Sequence, residues 1–203
     1  MNILLIGVGG QLGRSLNEIK LDNKHFNIFS PDSKALDLTN NQSIDKCMSE
    51  FKPNLIINCA AFTKVDDAEI SKDEAFKVNS IAPGYIAKKA DELNSFFIHI
   101  STDYVFGGEG NGPYKNTDNP SPLNYYGLTK YEGERNIINN TDNFLIIRTA
   151  SLMSHYRGNF ASLIIDNLLN SKKMNIIKNQ YISATCCLYL TKYLKLICDY
   201  YLK

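Results

Sequence analysis

The chain of 203 residues has no tryptophan, no long apolar run and no excess of either charge. No apolar stretch reaches the roughly 18 residues needed to cross a bilayer, so no membrane segment is expected. Its 22 Lys and Arg against 21 Asp and Glu leave a net charge of +1. Bulk electrostatics therefore gives no reason to expect a nucleic-acid or membrane surface. The cysteines Cys47, Cys59, Cys186, Cys187 and Cys198 are odd in number and nowhere spaced C-x-x-C. That argues against a disulfide framework or a zinc site and points to reduced thiols in a cytoplasmic protein. The opening MNILLIGVGGQLG has neither a basic leader nor a small-residue cleavage site, so no signal peptide is expected. No internal repeat or low-complexity tract is present.

What is present suits a globular core: 44% hydrophobic and 21% charged residues, in a length that fits one domain, or one domain and a fragment of another. NILLIG, FNIFSP, PNLIINCAA, FFIHIST and NFLIIRTA read as strands. Between them QLGRSLNEIK, NQSIDKCMSEF, KDEAFKVNSIAPGYIAKKADEL and YYGLTKYEGERNIINN read as helices, the third containing Pro83. This alternation predicts an α/β fold, a doubly wound parallel sheet with helices on both faces and right-handed crossovers. The Gly/Pro/Asn-rich loop 107–122 is long for a compact domain, and such loops usually carry function.

IGVGGQLG sets Gly7, Gly10 and Gly13 three apart, directly after the first strand. Glycine there allows a tight turn, close approach of backbone to a pyrophosphate and close helix–strand packing. The following helix start offers free N–H groups and a positive dipole end. The spacing also serves ordinary strand-to-helix turns, but its place at the head of a βαβ pattern predicts a dinucleotide site. At the end of the second strand an acid would bind a ribose 2′-hydroxyl, and an Arg a 2′-phosphate. FSPDSKALDL offers Ser30, then Asp32 and Lys34, a mixed set that does not choose between NADH and NADPH. Asp37 falls near the expected adenine.

Tyr126 and Lys130 stand one helical turn apart in YGLTK, and HISTDYVFGG ends the fourth strand with Ser101, Thr102 and Asp103. Ligands of doubly wound sheets sit beyond the carboxyl ends of the strands, so the two stretches meet at one crevice. A free tyrosine has a pKa near 10, too high for easy proton exchange at neutral pH, and a neighbouring ammonium lowers it. Thr102 can hold a substrate oxygen beside the phenol, and Lys130 can reach a nicotinamide ribose. The trio suits hydride transfer to a carbonyl, with Tyr126 as the general acid. The same Tyr/Lys spacing also occurs by chance on many helices.

These motifs, in their order MNILLIGVGGQLG, NCAAFTKVDDAE, VNSIAP, ISTDYVF, PLNYYGLTKYEGE and IIRTA, resemble the extended short-chain dehydrogenase/reductases. Within that family the chain looks most like the branch that reduces a nucleotide-linked 4-keto-6-deoxysugar with NADPH or NADH. The resemblance implies a Rossmann-like domain over 1–150 and a small truncated substrate lobe with a C-terminal helix over 151–203. It implies that Gly7, Gly10, Gln11, Leu12 and Gly13 shape the diphosphate site and that Asp37 and Leu38 border the adenine. Ala60, Ala61 and Phe62 are expected along the cofactor ribose, with Tyr126 and Lys130 also on the cofactor. Thr102, Tyr126 and Lys130 are the implied catalytic set, and Thr102 and Asp103 the implied sugar contacts. Asp66 and Glu69 are read as structural, and Arg148 as orienting rather than catalytic. No metal is implied.

Three departures from the family pattern bear on the substrate. RTASLMS has Ser151 where the family has a tryptophan, so a flat apolar wall for the sugar is expected to be missing. NQYISATCC has Asn179, Ile182 and Ala184 in place of the acid, glycine and proline of a family turn, while Gln180 and Thr185 remain. The substrate lobe, ending at Lys203, is expected to be curtailed. A noncatalytic dinucleotide-binding regulator or degraded paralogue, similar to the regulatory subunit of methionine adenosyltransferase, is therefore the alternative reading. An epimerase or reductase of another sugar nucleotide is a third. CCLYLTKYLKLICDYYLK reads as an apolar helix that covers a sheet face or joins two copies into a homodimer. His155 is read as a surface residue.

Overall fold

The structure, a computed structural model, describes residues 1–18, 25–108, 113–156, 158–178 and 182–201. The five expected strands are β1 (Asn2–Ile6), β2 (Asn27–Phe29), β3 (Leu55–Asn58), β4 (Phe96–Thr102) and β5 (Phe144–Thr149). They run parallel in the order β2-β1-β3-β4-β5. The order reverses between β1 and β3, which opens a crevice beyond their carboxyl ends. Two short strands, β6 (Leu152–Met153) and β7 (Thr185–Cys186), form a separate parallel pair. The helices are α1 (Gln11–Glu18), α2 (Asn41–Phe51), α3 (Val65–Ile70), α4 (Lys72–Phe76), α5 (Ala82–Glu92), α6 (Tyr125–Ile138), α7 (Phe160–Leu169) and α8 (Cys187–Tyr201). The fold is the Rossmann-like doubly wound one.

Strand side chains alternate between two cores. Leu4, Ile6, Ile56 and Phe97 pack with Ile44 and Met48 of α2, Ile86 and Ala90 of α5 and Ile137 of α6. Ile3, Leu5, Leu55, Ile57, Ile98 and Ile100 pack on the other face with Leu12 and Leu16 of α1 and with Cys187, Leu194 and Cys198 of α8. Each fully buried Leu or Ile contributes roughly 1.5–3 kcal/mol relative to exposure. The C-terminal helix thus covers a sheet face beside α1. Among the described residues no helix is long and apolar enough to cross a membrane.

The long helix read around Pro83 is not uniform. α4 and α5 are joined by a π-helical stretch, Lys77–Ile81, in which the Ala82 N–H reaches back to the Lys77 carbonyl. Pro83 has no N–H to give the Asn79 carbonyl, and its ring crowds that carbonyl, so the ladder shifts by one residue. The displaced Asn79 carbonyl faces Gly133 of α6, where an added Cβ would sit 2.1 Å from it. α6 therefore lies close against this segment. Its start is capped by Asn124, whose Oδ1 accepts the Gly127 N–H at 2.7 Å. α7, not expected from the sequence pattern, begins with Asn159 and Ser162 in a reciprocal capping box.

Candidate active site

The glycine turn is sterically required at two of its positions. Gly7 has φ +87°, and a Cβ there would lie 2.5 Å from the Ala60 nitrogen. A Cβ on Gly13 would lie 2.2 Å from the Gly7 carbonyl oxygen. These contacts bring β1, α1 and the chain after β3 together at the crevice. Gly10 is different: its Cβ would meet only the Gly7 oxygen, at 3.4 Å, so this residue borders open space. The first N–H groups of α1 have no acceptor within the helix and are free for an anion. The Gln11 side chain is committed elsewhere. Its Nε2 donates to the Leu152 carbonyl at 3.1 Å, and its Oε1 accepts from the Ser154 N–H and Oγ and from Asn159 Nδ2. It pins the segment after β5 to the start of α1. Leu12 is in the core at 2% exposure, so only the backbones of Gln11 and Leu12 are available to a ligand.

At the end of β2 the Ser30 hydroxyl is buried and has no hydrogen-bond partner. Asp32, by contrast, spends Oδ1 on the Lys34 and Ala35 N–H groups of the following turn. Asp37 accepts the N–H and the hydroxyl of Thr39 at 2.8 and 2.7 Å, which holds its carboxyl below the usual range. Asp37 and Leu38 line a hollow of about 550 Å³ with Lys77 and Ile81. A turn in which a Cβ would fill the space, free helix N–H groups and an orphaned hydroxyl at the second strand end together fit an adenine dinucleotide.

Phe62, of the stretch Ala60–Phe62 after β3, is fixed by Asn79. The Asn79 Oδ1 accepts the Phe62 N–H at 2.8 Å, and its Nδ2 donates to the Phe62 carbonyl and to Thr129 Oγ1, both at 3.0 Å. The π stretch therefore ties the crevice wall to α6. Glu69 accepts the Tyr125 N–H at 2.7 Å, which supports the start of α6 from α3.

Thr102 and Tyr126 meet at the crevice. Both are buried, at 5% and 9% exposure, and Thr102 is near enough to act on the phenol hydroxyl. Thr102 Oγ1 also donates to Asp103 Oδ1 at 3.2 Å. The Tyr126 ring meets Tyr104 edge-on at 5.7 Å and packs with Phe62. Burial pushes the phenol up to about 12, Asp103 and Tyr104 add to this, and Thr102 opposes it. Burial raises the Asp103 carboxyl as well.

Lys130 corrects the sequence reading. Its side-chain nitrogen is turned to β4 and is not among the influences on the phenol. It lies 2.9 Å from His99 Nε2 and 2.8 Å from the Ile100 carbonyl oxygen. A side chain 1% exposed must find buried acceptors, and β4 supplies them. The expected lowering of Tyr126 is absent for this reason. Burial pushes Lys130 itself down to about 8, against the opposing influence of Glu134 and, less, of Cys59.

One turn further along α6, Glu134 is 2% exposed and takes a bidentate pair from Arg148 at 3.0 and 2.6 Å, plus the Ser101 hydroxyl. Arg148 thus spends Nε and Nη2 on Glu134 while its guanidinium lies 4.9 Å over the Phe106 ring. Beyond it opens a cleft of about 1750 Å³ bordered by Asp103, Phe106, Asn124, Arg148, Ile182 and Thr185. Phe106 and Tyr114 stack there at 4.3 Å and 3°. The cleft does carry a flat aromatic surface, formed by the Gly/Pro-rich loop and not by the segment at Ser151. Asn179 and Gln180 lie outside the described residues. His155 is exposed and rests on the Tyr156 ring at 3.9 Å. Asn58, Asn79, His99 and Glu134 escape the sequence reading; the polar residue inside each apolar strand was the available signal for Asn58 and His99. Among the described residues no cluster of His, Cys, Asp and Glu could hold a metal.

A family model described as the RmlD substrate binding domain matches residues 1–200. The dTDP-4-dehydrorhamnose reductase of Aggregatibacter actinomycetemcomitans is 39% identical over 178 residues, or 88% of this chain and 60% of that protein. The Bos taurus methionine adenosyltransferase 2 subunit beta is 36% identical over 152 residues, or 72% of this chain and 45% of its own. A solved dTDP-4-dehydrorhamnose reductase from Bacillus anthracis str. Ames, in complex with NADP, matches with a TM-score of 0.92 at 33% identity, covering 97% of this chain and 69% of that one. The chain spans 46% to 62% of the length of curated reductases it matches.

Proposed function

This chain belongs to the RmlD substrate binding domain family, and on that footing we propose that it reduces a nucleotide-linked 4-keto-6-deoxysugar, with dTDP-4-dehydrorhamnose the first substrate to test. The observation that carries the reading is the placement of Tyr126, buried at 9% exposure with Thr102 acting on its hydroxyl, between the glycine turn and the large cleft. When bound, NADPH or NADH supplies the hydride. The chain's own part is positional and protic. The backbone from Gly7 to Gly13 receives the diphosphate, and Ala60 to Phe62 wall the crevice. Thr102 holds the keto oxygen against the phenol. A phenol raised to about 12 stays protonated at neutral pH, so the proton is present when the oxygen becomes an alkoxide and needs it. Asp103 and the stacked Phe106–Tyr114 pair border the sugar. Five unpaired cysteines are compatible with residence in the cytoplasm, and a net charge of +1 with no nucleic-acid partner.

The test follows absorbance of the reduced nicotinamide after dTDP-4-dehydrorhamnose is added to the protein with NADPH or NADH. Consumption that falls at least about 100-fold in Tyr126→Phe is the expected result, general acids contributing 10²–10⁴-fold. Equal rates in the two proteins would remove Tyr126 from its role. A second reading, a dinucleotide-binding regulatory subunit, is favoured by the likeness to methionine adenosyltransferase 2 subunit beta and by a Lys130 turned away from Tyr126. Tight cofactor binding by fluorescence with no turnover would support it.

A further inference from the structure

A line of hydrogen bonds runs through the sheet beneath Tyr126, and its direction can be read from one end. β3 and β4 are in register with Asn58 beside His99. The Ala60 N–H donates to Asn58 Oδ1 at 3.0 Å. A backbone N–H can only donate, so the Asn58 amide is oriented with its oxygen toward Ala60 and its NH₂ toward His99. That NH₂ stands 3.2 Å from His99 Nδ1, which must therefore be the bare, accepting nitrogen. A neutral imidazole with a bare Nδ1 carries its hydrogen on Nε2. Nε2 faces Lys130 Nζ at 2.9 Å. To receive this N–H, Nζ needs a lone pair, which an amine has and an ammonium lacks. Lys130 then passes its own N–H to the Ile100 carbonyl at 2.8 Å.

We propose that His99 is a positioning residue, held by Asn58 as its Nε2–H tautomer, and that this tautomer favours the neutral amine of Lys130 over its ammonium. Every donor in the line from Ala60 to Ile100 then meets an acceptor. Protonating Lys130 sets an ammonium N–H against the Nε2–H. The line admits that charge only if the imidazole proton moves from Nε2 to Nδ1 and the Asn58 amide turns over, which sets its NH₂ against the Ala60 N–H. His99 is fully buried, and both burial and Lys130 hold it well below the ordinary imidazole range, so an imidazolium does not resolve the conflict.

The charged and titratable groups around Lys130 agree with this. On β4 there is His99. After β3 there is Cys59, a thiol pushed up to about 12 by burial and therefore neutral. On α6 there are Tyr126, a neutral phenol, and Glu134, whose charge is matched by Arg148 of β5. Among the described residues around it the one anion that draws on an ammonium, Glu134, is already matched by Arg148. Burial pushes Lys130 in the same direction as the hydrogen bonds. The inference rests on the reductase reading only for its consequence: the positive charge that Lys130 lends to the reaction is held against the preference of this line.

The experiment is nitrogen-15 NMR on the full chain labelled in histidine and lysine, without turnover. The three histidines are distinguished by His99→Gln, and the Lys130 signal by its loss in Lys130→Met. Above the Lys130 midpoint the expected spectrum shows His99 with a bare Nδ1 and a protonated Nε2, and Lys130 titrates below the other lysines. His99→Gln can turn its amide oxygen toward Nζ, so it should raise the Lys130 midpoint by about one pH unit or more. A His99 still protonated on Nδ1 above that midpoint, or a Lys130 that titrates with the surface lysines or ignores His99→Gln, would overturn the proposal. The wild-type spectra decide the matter even if a variant folds poorly. Failure of the keto-sugar assay would leave this result standing, and the reverse also holds.

Discussion

Replacing Lys130 by methionine separates the cost of a buried charge from the value of its hydrogen bonds. Methionine keeps the apolar stem and removes the nitrogen. Burial takes Lys130 from 10.5 down to about 8, which at 1.36 kcal/mol per pH unit corresponds to about 3 kcal/mol. Below pH 8 the folded and unfolded chains both hold the proton, and the folded state bears that cost in full. Between 8 and 10.5 the unfolded chain binds more protons, so wild-type stability rises with pH. Above 10.5 neither state is charged and the cost is gone. Against this, the variant leaves the Ile100 carbonyl and a His99 nitrogen without a partner, a loss of about 1–3 kcal/mol at any pH. At pH 7 the variant should therefore be between equal to wild type and about 2 kcal/mol more stable. Near pH 10, where only about 0.8 kcal/mol of that cost remains, it should be less stable than wild type by up to about 2 kcal/mol. Urea unfolding of both proteins at the two pH values gives the difference directly, and other titrating groups cancel in the comparison. A stability difference that does not change with pH would refute the assignment of a depressed, buried lysine.

Other outcomes follow from the same geometry. Gly13→Ala forces a methyl to 2.2 Å from the Gly7 oxygen; it should cost about 1–3 kcal/mol and abolish dinucleotide binding measured by fluorescence. Gly9→Ala, with nothing within 4 Å of its Cβ, should change stability little and serves as the control. Arg148→Met strips the partner from Glu134, which is 2% exposed; thermal or urea unfolding should show a loss of about 3–5 kcal/mol. Adding Glu134→Gln to that variant should recover most of it, because the uncompensated charge is then gone.

The frame of the molecule is legible in the sequence because it rests on local chemistry. Runs such as NILLIG and FFIHIST are buried on both faces, so they read as strands whatever surrounds them. Gly7 and Gly13 are legible as well, since the turn admits no other residue. The contents of the crevice are harder to read. Spacing puts Tyr126 and Lys130 on one face of α6, but where a long side chain ends depends on the acceptors that another strand presents. His99 lies in register with Asn58, a pairing across 41 residues that no window of sequence contains. The role of Asn79 is similar: it depends on a π turn that Pro83 forces and on Gly133 lying opposite. The helix α7 escapes notice because its outer face is apolar, with Leu168 and Leu169 at 72% and 79% exposure, so no amphipathic period marks it. Arg148 is read from the sequence as an orienting residue, and only the structure supplies its partner, Glu134.

The central claim is hydride delivery to a sugar carbonyl with Tyr126 as acid, and isotope transfer tests it most directly. NADPH carrying deuterium at the transferable position of the nicotinamide would be mixed with the protein and dTDP-4-dehydrorhamnose, and the sugar nucleotide recovered for mass spectrometry. The account predicts a reduced sugar with a single deuterium at the former keto carbon in wild type, and at least about 100-fold less of it with Tyr126→Phe. A protein that binds the labelled cofactor yet returns the keto-sugar unreduced, or a Tyr126→Phe variant that labels it as fast, would contradict the claim.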